Sequence, residues 1–182
     1  MVVALSLRCC ALFALLLSLP ALAQTEGRAA EIQIKAAFLY KFGGFVEWPP
    51  RAFARPDSPI VIGVMGAEAL AEELERAVNG RTVQGRAVAV RRVRRGDPFG
   101  GLHVLFVGRG ETGRLGEILE AANGQPVLTV TDSEEGLARG SMINFVTVDD
   151  KVRFDIALPQ AERGHLKISS RLLAVARRVI SG

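Results

Sequence analysis

Cysteine is nearly absent from this chain: Cys9 and Cys10 are its only two, and both lie in an apolar leader. A chain processed before Gln24 keeps neither, so disulfides, thiolate metal sites and a cysteine nucleophile are excluded. Histidine is as scarce. His103 and His165 have no second histidine or carboxylate at ligand spacing, which points away from zinc. Catalytic signatures are missing too. No G-x-S-x-G elbow occurs, so beside His165 the adjacent Ser169 and Ser170 read as helix capping rather than half of a hydrolase pair. Gly63-Val64-Met65-Gly66 is not G-x-G-x-x-G, and a glycine after a strand usually serves only to let the chain turn. No metal, cofactor or catalytic residue is assigned, and the chain reads as a non-enzyme.

Neither sign of charge dominates. The formal net charge is +4, falls to +3 when the single charge of Arg8 leaves with the leader, and is spread rather than blocked, which gives no ground for a nucleic-acid partner. Long apolar runs are also missing. Cys9 to Leu19 is shorter than the ~20 residues that a membrane span needs, which disfavours a retained anchor. With Arg8 before it and Ala21-Leu22-Ala23 after it, the run reads as a signal peptide over residues 1–23. A lipoprotein reading fails, because Cys9 and Cys10 stand at the front of the apolar run rather than after a cleavage box. Residues 24–182 then form one exported α/β domain, held by core packing, with the bacterial periplasm its natural compartment.

Within that domain, periodicity predicts a first helix over Glu31 to Phe45, with Ile34, Phe38 and Phe42 on one face. Trp48-Pro49-Pro50 stops it. Tyr40 and Trp48, the only tyrosine and tryptophan, line either a ligand pocket or a partner surface, or else belong to the core and the packing of the Pro-Pro turn. Pro59 to Met65, Leu102 to Val107 and Val127 to Thr131 are continuous apolar runs, as buried parallel strands are. Helices are predicted over Ala67 to Val78 and Glu111 to Ala122, and His103 reads as a satisfied sheet histidine. Arg86 to Arg94 alternates, with Val88, Val90 and Val93 assigned to one side. Arg91, Arg92, Arg94 and Arg95 then make either a patch for an anion or an acidic partner, or the charged rim of an edge strand. Asp132-Ser133-Glu134-Glu135 predicts a short helix ending at Gly140. Ligands of open α/β sheets bind beyond the carboxyl ends of strands, so Thr131, Asp132 and Ser133 are ligand candidates as well as capping candidates.

Gly140 to Ile180 organises the rest. Asp149-Asp150 as a two-residue turn sets Ile143 against Ile156, Phe145 against Phe154, Thr147 against Val152, and Asn144 against Asp155. After it, Ile168, Leu172, Val175 and Val179 predict a closing helix capped by Ser169 or Ser170.

Four stretches taken in order, IKAAFLYKFGGFVEWP at 34–49, HVLFVG at 103–108, PVLTVTDSEEGLARGSMINFV at 126–146 and VRFDIALPQAERGHLKISSRLLAVAR at 152–177, resemble the YfiR-like family of exported bacterial proteins. The resemblance implies a three-layer α/β sandwich: a mixed, mostly parallel sheet with helices on both faces, ending in the hairpin and closing helix. It also implies a homodimer. The family's namesake represses an inner-membrane diguanylate cyclase by binding its periplasmic region, and a peptidoglycan-associated outer-membrane lipoprotein draws that brake away. The implied function is therefore a periplasmic regulatory binding protein acting on a membrane-bound diguanylate cyclase or sensor kinase, tied to cyclic di-GMP signalling. A small-ligand sensor or carrier is the alternative. The namesake's redox-sensitive disulfides have no counterpart here, and F-E-I-N of family members is Phe154-Asp155-Ile156-Ala157. For a protein partner the expected surface is Arg153, His165, Lys167 and Arg171 around an exposed Leu166.

Overall fold

Why the chain forms these elements follows from two periods, 2 in the strands and 3.6 in the helices. The computed structural model describes residues 19–182, with side-chain surroundings from Glu26 onward. Arg8 and most of the predicted leader's apolar run lie outside these residues. Helix α1 (Leu19–Phe42) leads into β1 (Val46–Glu47), β2 (Ile60–Met65), α2 (Glu68–Val78), β3 (Thr82–Val83) and β4 (Arg86–Arg92). Then come β5 (Val104–Val107), a 3-10 turn over Arg109–Arg114, α3 (Leu115–Ala122), β6 (Leu128–Thr131), β7 (Ile143–Val148) and β8 (Lys151–Ala157). Helix α4 (Leu158–Arg163), β9 (Lys167–Ile168), α5 (Ser170–Val175) and β10 (Arg178–Ile180) complete it. No described helix is long and apolar enough to cross a membrane.

Eight strands form one sheet in the order β10-β8-β7-β6-β5-β2-β4-β3, and β1 pairs with β9 in a small second sheet. All main-sheet pairs are parallel except β7 with β8 and β3 with β4. From β2 the chain passes to β4 on one side and then to β5, β6 and β7 on the other, so the order reverses between β2 and β5. Each face carries its own core. Ala36, Leu39 and Phe42 of α1 and Leu70, Leu74 and Val78 of α2 bury the face that presents Ile62, Val104, Phe145, Phe154 and Ile156. On the other face α3 packs Leu115, Ile118 and Leu119 over Met65, Leu105 and Val107. This is the expected sandwich with helices on both faces.

The hairpin adopts the register that the sequence predicts, Ile143 to Ile156 through Thr147 to Val152, with Asn144 across from Asp155. Asp149 and Asp150 have φ 48° and 55°, the left-handed pair that a tight hairpin turn requires. Phe42 meets Phe154 edge-on at 5.1 Å and stacks with Phe145 at 5.8 Å, fixing α1 to the hairpin. Such pairs contribute about 0.5–1.5 kcal/mol each beyond the area they bury.

Several local expectations differ, helix ends among them: α1 stops at Phe42 rather than Phe45, and α3 begins at Leu115 rather than Glu111, after the 3-10 turn. Ile34 is 42% exposed; the inward arc of α1 runs instead through Ile32, Lys35, Ala36, Leu39 and Phe42, because Lys35 finds carboxylates to justify its burial. Val93 lies in the α3-side core, away from Val88 and Val90, since strand alternation separates odd from even positions. After Asp132 the chain makes successive turns rather than a helix. There Gly136 lies on the buried Thr131 and Asn144 side chains, so close that a Cβ would collide with both. The closing helix is only Ser170–Val175, capped by the Ser169 hydroxyl accepting the Arg171 N–H at 3.2 Å. Val179 belongs to β10, which pairs with β8 because Arg177 N–H donates to Phe154 O and two arginines reach Asp155.

Candidate functional site

Parallel strands that share a direction open their loops on one edge, and the order reversal between β2 and β5 leaves a crevice there. A cleft of about 850 Å³ occupies that position, bordered by Gly66, Phe106, Arg109 and Asp132 from strand ends and by the start of α2. Ile32 and Lys35 of α1 close its third side. Two turns are pressed together to form it. Gly110 N–H donates to Gly66 O at 3.3 Å, and a Cβ at Gly108 or Gly110 would overlap the Gly66 carbonyl. Gly66 itself sits at φ 67°, a conformation suited to glycine.

Charge is concentrated along this cleft. Lys35, only 6% exposed, donates to Glu31 at 2.5 Å and to Asp132 Oδ2 at 2.9 Å, and lies 6.0 Å over the Phe145 ring. Arg109 Nε donates to the Asp132 carbonyl at 3.2 Å and stands 3.7 Å from Oδ2. The second carboxylate oxygen, Oδ1, is buried and has no donor. Helix α2 has no side-chain cap, and its first intrahelical bond is Ala71 N–H to Ala67 O. The N–H groups of Glu68, Ala69 and Leu70 therefore face the cleft without a protein partner among the described residues, at the positive end of the helix. Among the described residues no three His, Cys, Asp or Glu side chains converge as a metal ion requires.

Of the predicted ligand residues, Asp132 lines this cleft, Ser133 turns onto the outer surface beside Arg139, and Thr131 is fully buried beneath it. Thr131 Oγ1 lies 2.7 Å from Asn144 Oδ1 and 3.1 Å from Ser141 Oγ, in a polar cluster that ties the 132–140 turns to the sheet. Tyr40 and Trp48 lie at the opposite end of the sheet. Tyr40 donates to Thr82 O at 3.0 Å, and Trp48 Nε1 donates to His103 O at 3.2 Å. His103 Nδ1 accepts the Val61 N–H at 3.1 Å and its ring stacks on Phe53. Burial first, and the nearby Arg86 charge second, lower its pKa to about 4. Half of the arginine rim is engaged: Arg92 pairs with Glu68 and Glu75, and Arg91 donates to Pro98 O at 2.8 Å, while Arg94 and Arg95 are exposed.

The predicted partner residues divide. His165, Lys167 and Arg171 are exposed around β9 and the start of α5, with His165 at φ 57° after α4. Lys167 stands opposite Glu47 of β1. Arg153 is exposed on the far face of β8 from Val152 and Phe154, so it does not join them. Leu166 is 3% exposed and belongs to the core, a correction to its assignment as an exposed contact: its N–H donates to Ala161 O at 2.9 Å, just before β9, and its side chain joins the core cluster that includes Leu172. Sequence reasoning missed Lys35, Arg109 and the open start of α2. Only the last left a signal, Gly66-Ala67 before the helix where a Ser, Thr, Asp or Asn would cap it. It also missed the Asp155 cluster, in which a carboxylate 1% exposed accepts from Arg177 and Arg178.

The family model described as YfiR/HmsC-like matches residues 32–177. No curated protein matches the chain. Among solved structures the chain is similar to a conserved domain protein from Vibrio cholerae O1 biovar El Tor, at 13% identity and a TM-score of 0.51. The match covers 66% of this chain and 54% of that one, so this chain spans about half of that structure's length, and the likeness is one of fold.

Proposed function

The chain belongs to the YfiR/HmsC-like family, and we propose that it is a periplasmic regulator that binds the periplasmic region of a membrane-bound signalling protein, a diguanylate cyclase or sensor kinase. The family match over residues 32–177 carries this reading, since that family is periplasmic and regulatory rather than catalytic. Export rests on residues 1–23 acting as a signal peptide, which leaves residues 24–182 as the mature domain. A resting homodimer, and a peptidoglycan-associated lipoprotein that withdraws the regulator, complete the scheme.

The exposed His165, Lys167 and Arg171 are the contact surface we assign, with the buried Leu166 and Leu172 holding their backbone rigid beneath. Arg153 contributes only to a partner that reaches round the sheet edge. Binding there shifts the receptor toward one of its two states, by as much as the regulator's affinities for those states differ. Rim charges of this kind act mainly on the association rate and its salt dependence.

The test is crosslinking of the tagged protein in its native envelope, with mass spectrometry of what is captured and of the mature amino terminus. A membrane cyclase or kinase is expected, with crosslinks near 165–171 and a chain beginning at Gln24. The double variant Lys167→Gln/Arg171→Glu, which sets no like charge against Glu47, should lose capture without losing thermal stability. Capture of no membrane signalling protein at all would sink the reading.

A further inference from the structure

Residues 48–59 join β1 to β2 without one buried member, and their only regular element is the 3-10 turn Pro50–Ala52. A strap with so little apolar burial is held by the few contacts it makes, and these converge on His103. Phe53 stacks on the imidazole at 4.4 Å, Trp48 meets it edge-on at 5.7 Å, and Trp48 Nε1 donates to the His103 carbonyl at 3.2 Å. Arg86 of β4 clamps the other end. Its guanidinium lies 3.8 Å from the centre of the Phe53 ring, and Nη1 donates to Ser58 O at 2.8 Å. Beneath the strap His103 is 2% exposed.

The buried ring accommodates one protonation state. Nδ1 accepts the Val61 N–H at 3.1 Å, so the ring's own proton is on Nε2, which is buried without a hydrogen-bond partner. A second proton goes to Nδ1, where it meets the Val61 N–H donor to donor. Arg86 faces the ring from β4 and opposes a positive charge there. The strands on either side, β2 and β6, carry no charged residue. Of the strap's own charges, Arg51, Arg55 and Asp57 are exposed, with Asp57 3.4 Å from Arg55. Glu47, at the end of β1, stands opposite Lys167. The Ala52 carbonyl favours the charged ring, by less than burial and Arg86 oppose it, and it belongs to the strap. A charge buried in such surroundings is costly, so a charged ring and a closed strap oppose each other.

We propose that residues 48–58 are an acid-released strap: when His103 takes up a second proton the strap lifts, the ring reaches water, and the β1–β9 seam that Trp48 adjoins loosens with it. That seam carries Lys167, so acidity reaches the regulator's contact surface; this last link rests on the surface assigned above, whereas the opening itself does not. Burial first, and Arg86 second, hold the covered ring at a pKa of about 4, against an ordinary value of 6.5 in water. Because the closed value is the lower one, closure is fully favoured above pH 6.5 and weakens as pH falls toward 4. Relative to neutral pH, the open-to-closed ratio rises about 30-fold at about pH 5 and up to about 300-fold once pH is below both values.

Trp48, the only tryptophan, reports the strap directly. Its emission, its quenching by acrylamide and the far-ultraviolet circular dichroism of the mature chain are followed from about pH 7.5 to about pH 4. A reversible red shift with increased quenching is expected across that range, at constant circular dichroism. His103→Gln keeps an acceptor for the Val61 N–H and does not titrate, so it should remove the transition, while His165→Gln, at the exposed histidine, should leave it unchanged. Phe53→Leu, at a half-buried position outside the core, weakens closure and should move the midpoint to higher pH, which keeps the test decisive if His103→Gln fails to fold. The Ser169 N–H, bonded to Phe45 O at 2.9 Å, reads the β1–β9 seam, and its hydrogen-exchange protection factor should fall over the same range. The proposal is overturned if Trp48 emission holds constant to the lowest pH, if it changes only together with circular dichroism, if the transition survives in His103→Gln, or if Ser169 keeps its protection while Trp48 moves. No partner takes part in these measurements, so they and the envelope crosslinking fail separately.

Discussion

Replacing Lys35 by methionine isolates one charge in the wall of the cleft. Lys35 is 6% exposed, and its ammonium is shared by Glu31 at 2.5 Å and Asp132 at 2.9 Å. Methionine keeps the bulk of the stem, so packing changes little. What disappears is the cation facing a carboxylate whose side chain is only 12% exposed. Removing one partner of a fully buried pair costs roughly 3–5 kcal/mol. Asp132 retains Arg109 at 3.7 Å and some water, so the expected loss is about 2–3 kcal/mol. Glu31, one-third exposed, adds little. The double variant Lys35→Met/Asp132→Asn removes the stranded charge as well, and its loss should fall to about 1 kcal/mol. Urea unfolding of the mature chain reads each value from the midpoint at constant slope. A loss below about 0.5 kcal/mol for the single variant, or a double variant as unstable as the sum of the singles, would refute the reasoning and leave Arg109 as the group that holds Asp132.

Three further outcomes follow from other parts of the fold. His103 has a folded pKa of about 4 against about 6.5 when unfolded, so between those values the unfolded chain binds a proton that the folded one refuses. Its contribution is complete above pH 6.5 and is lost as pH falls toward 4, by roughly 3 kcal/mol; His103→Gln should flatten that part of the stability profile, and an unchanged slope would count against it. Asp150→Gly relieves a left-handed residue in the hairpin turn and should raise the melting temperature by about 2 °C, from about 0.5–1 kcal/mol. Gly136→Ala drives a methyl into Thr131 and Asn144 and should cost about 2 kcal/mol or more in urea unfolding, whereas near-parent stability would show that the 132–140 turns are not held against the sheet.

The hairpin register was readable because a period of 2 with one apolar face allows a single alignment once the turn is placed, and Asp149-Asp150 tolerated the backbone that the turn needs. The buried strands were readable for a similar reason, as continuous apolar runs bounded by Gly and Pro. Where the reading failed, a contact distant in sequence outweighed a local preference. Asp132-Ser133-Glu134-Glu135 is a sound helix start, yet the buried Thr131–Ser141–Asn144 cluster and the close seat of Gly136 fold the segment into turns. Val179 continues a helical stripe on paper, but the carboxylate of Asp155 draws Arg177 and Arg178 into an extended strand. Lys35 and Asp132 stand 97 positions apart, so no spacing rule joins them. Asp132 was reached only through the general rule about strand ends, and Tyr40 and Trp48 were grouped with it because sequence does not say which end of a sheet an aromatic residue occupies.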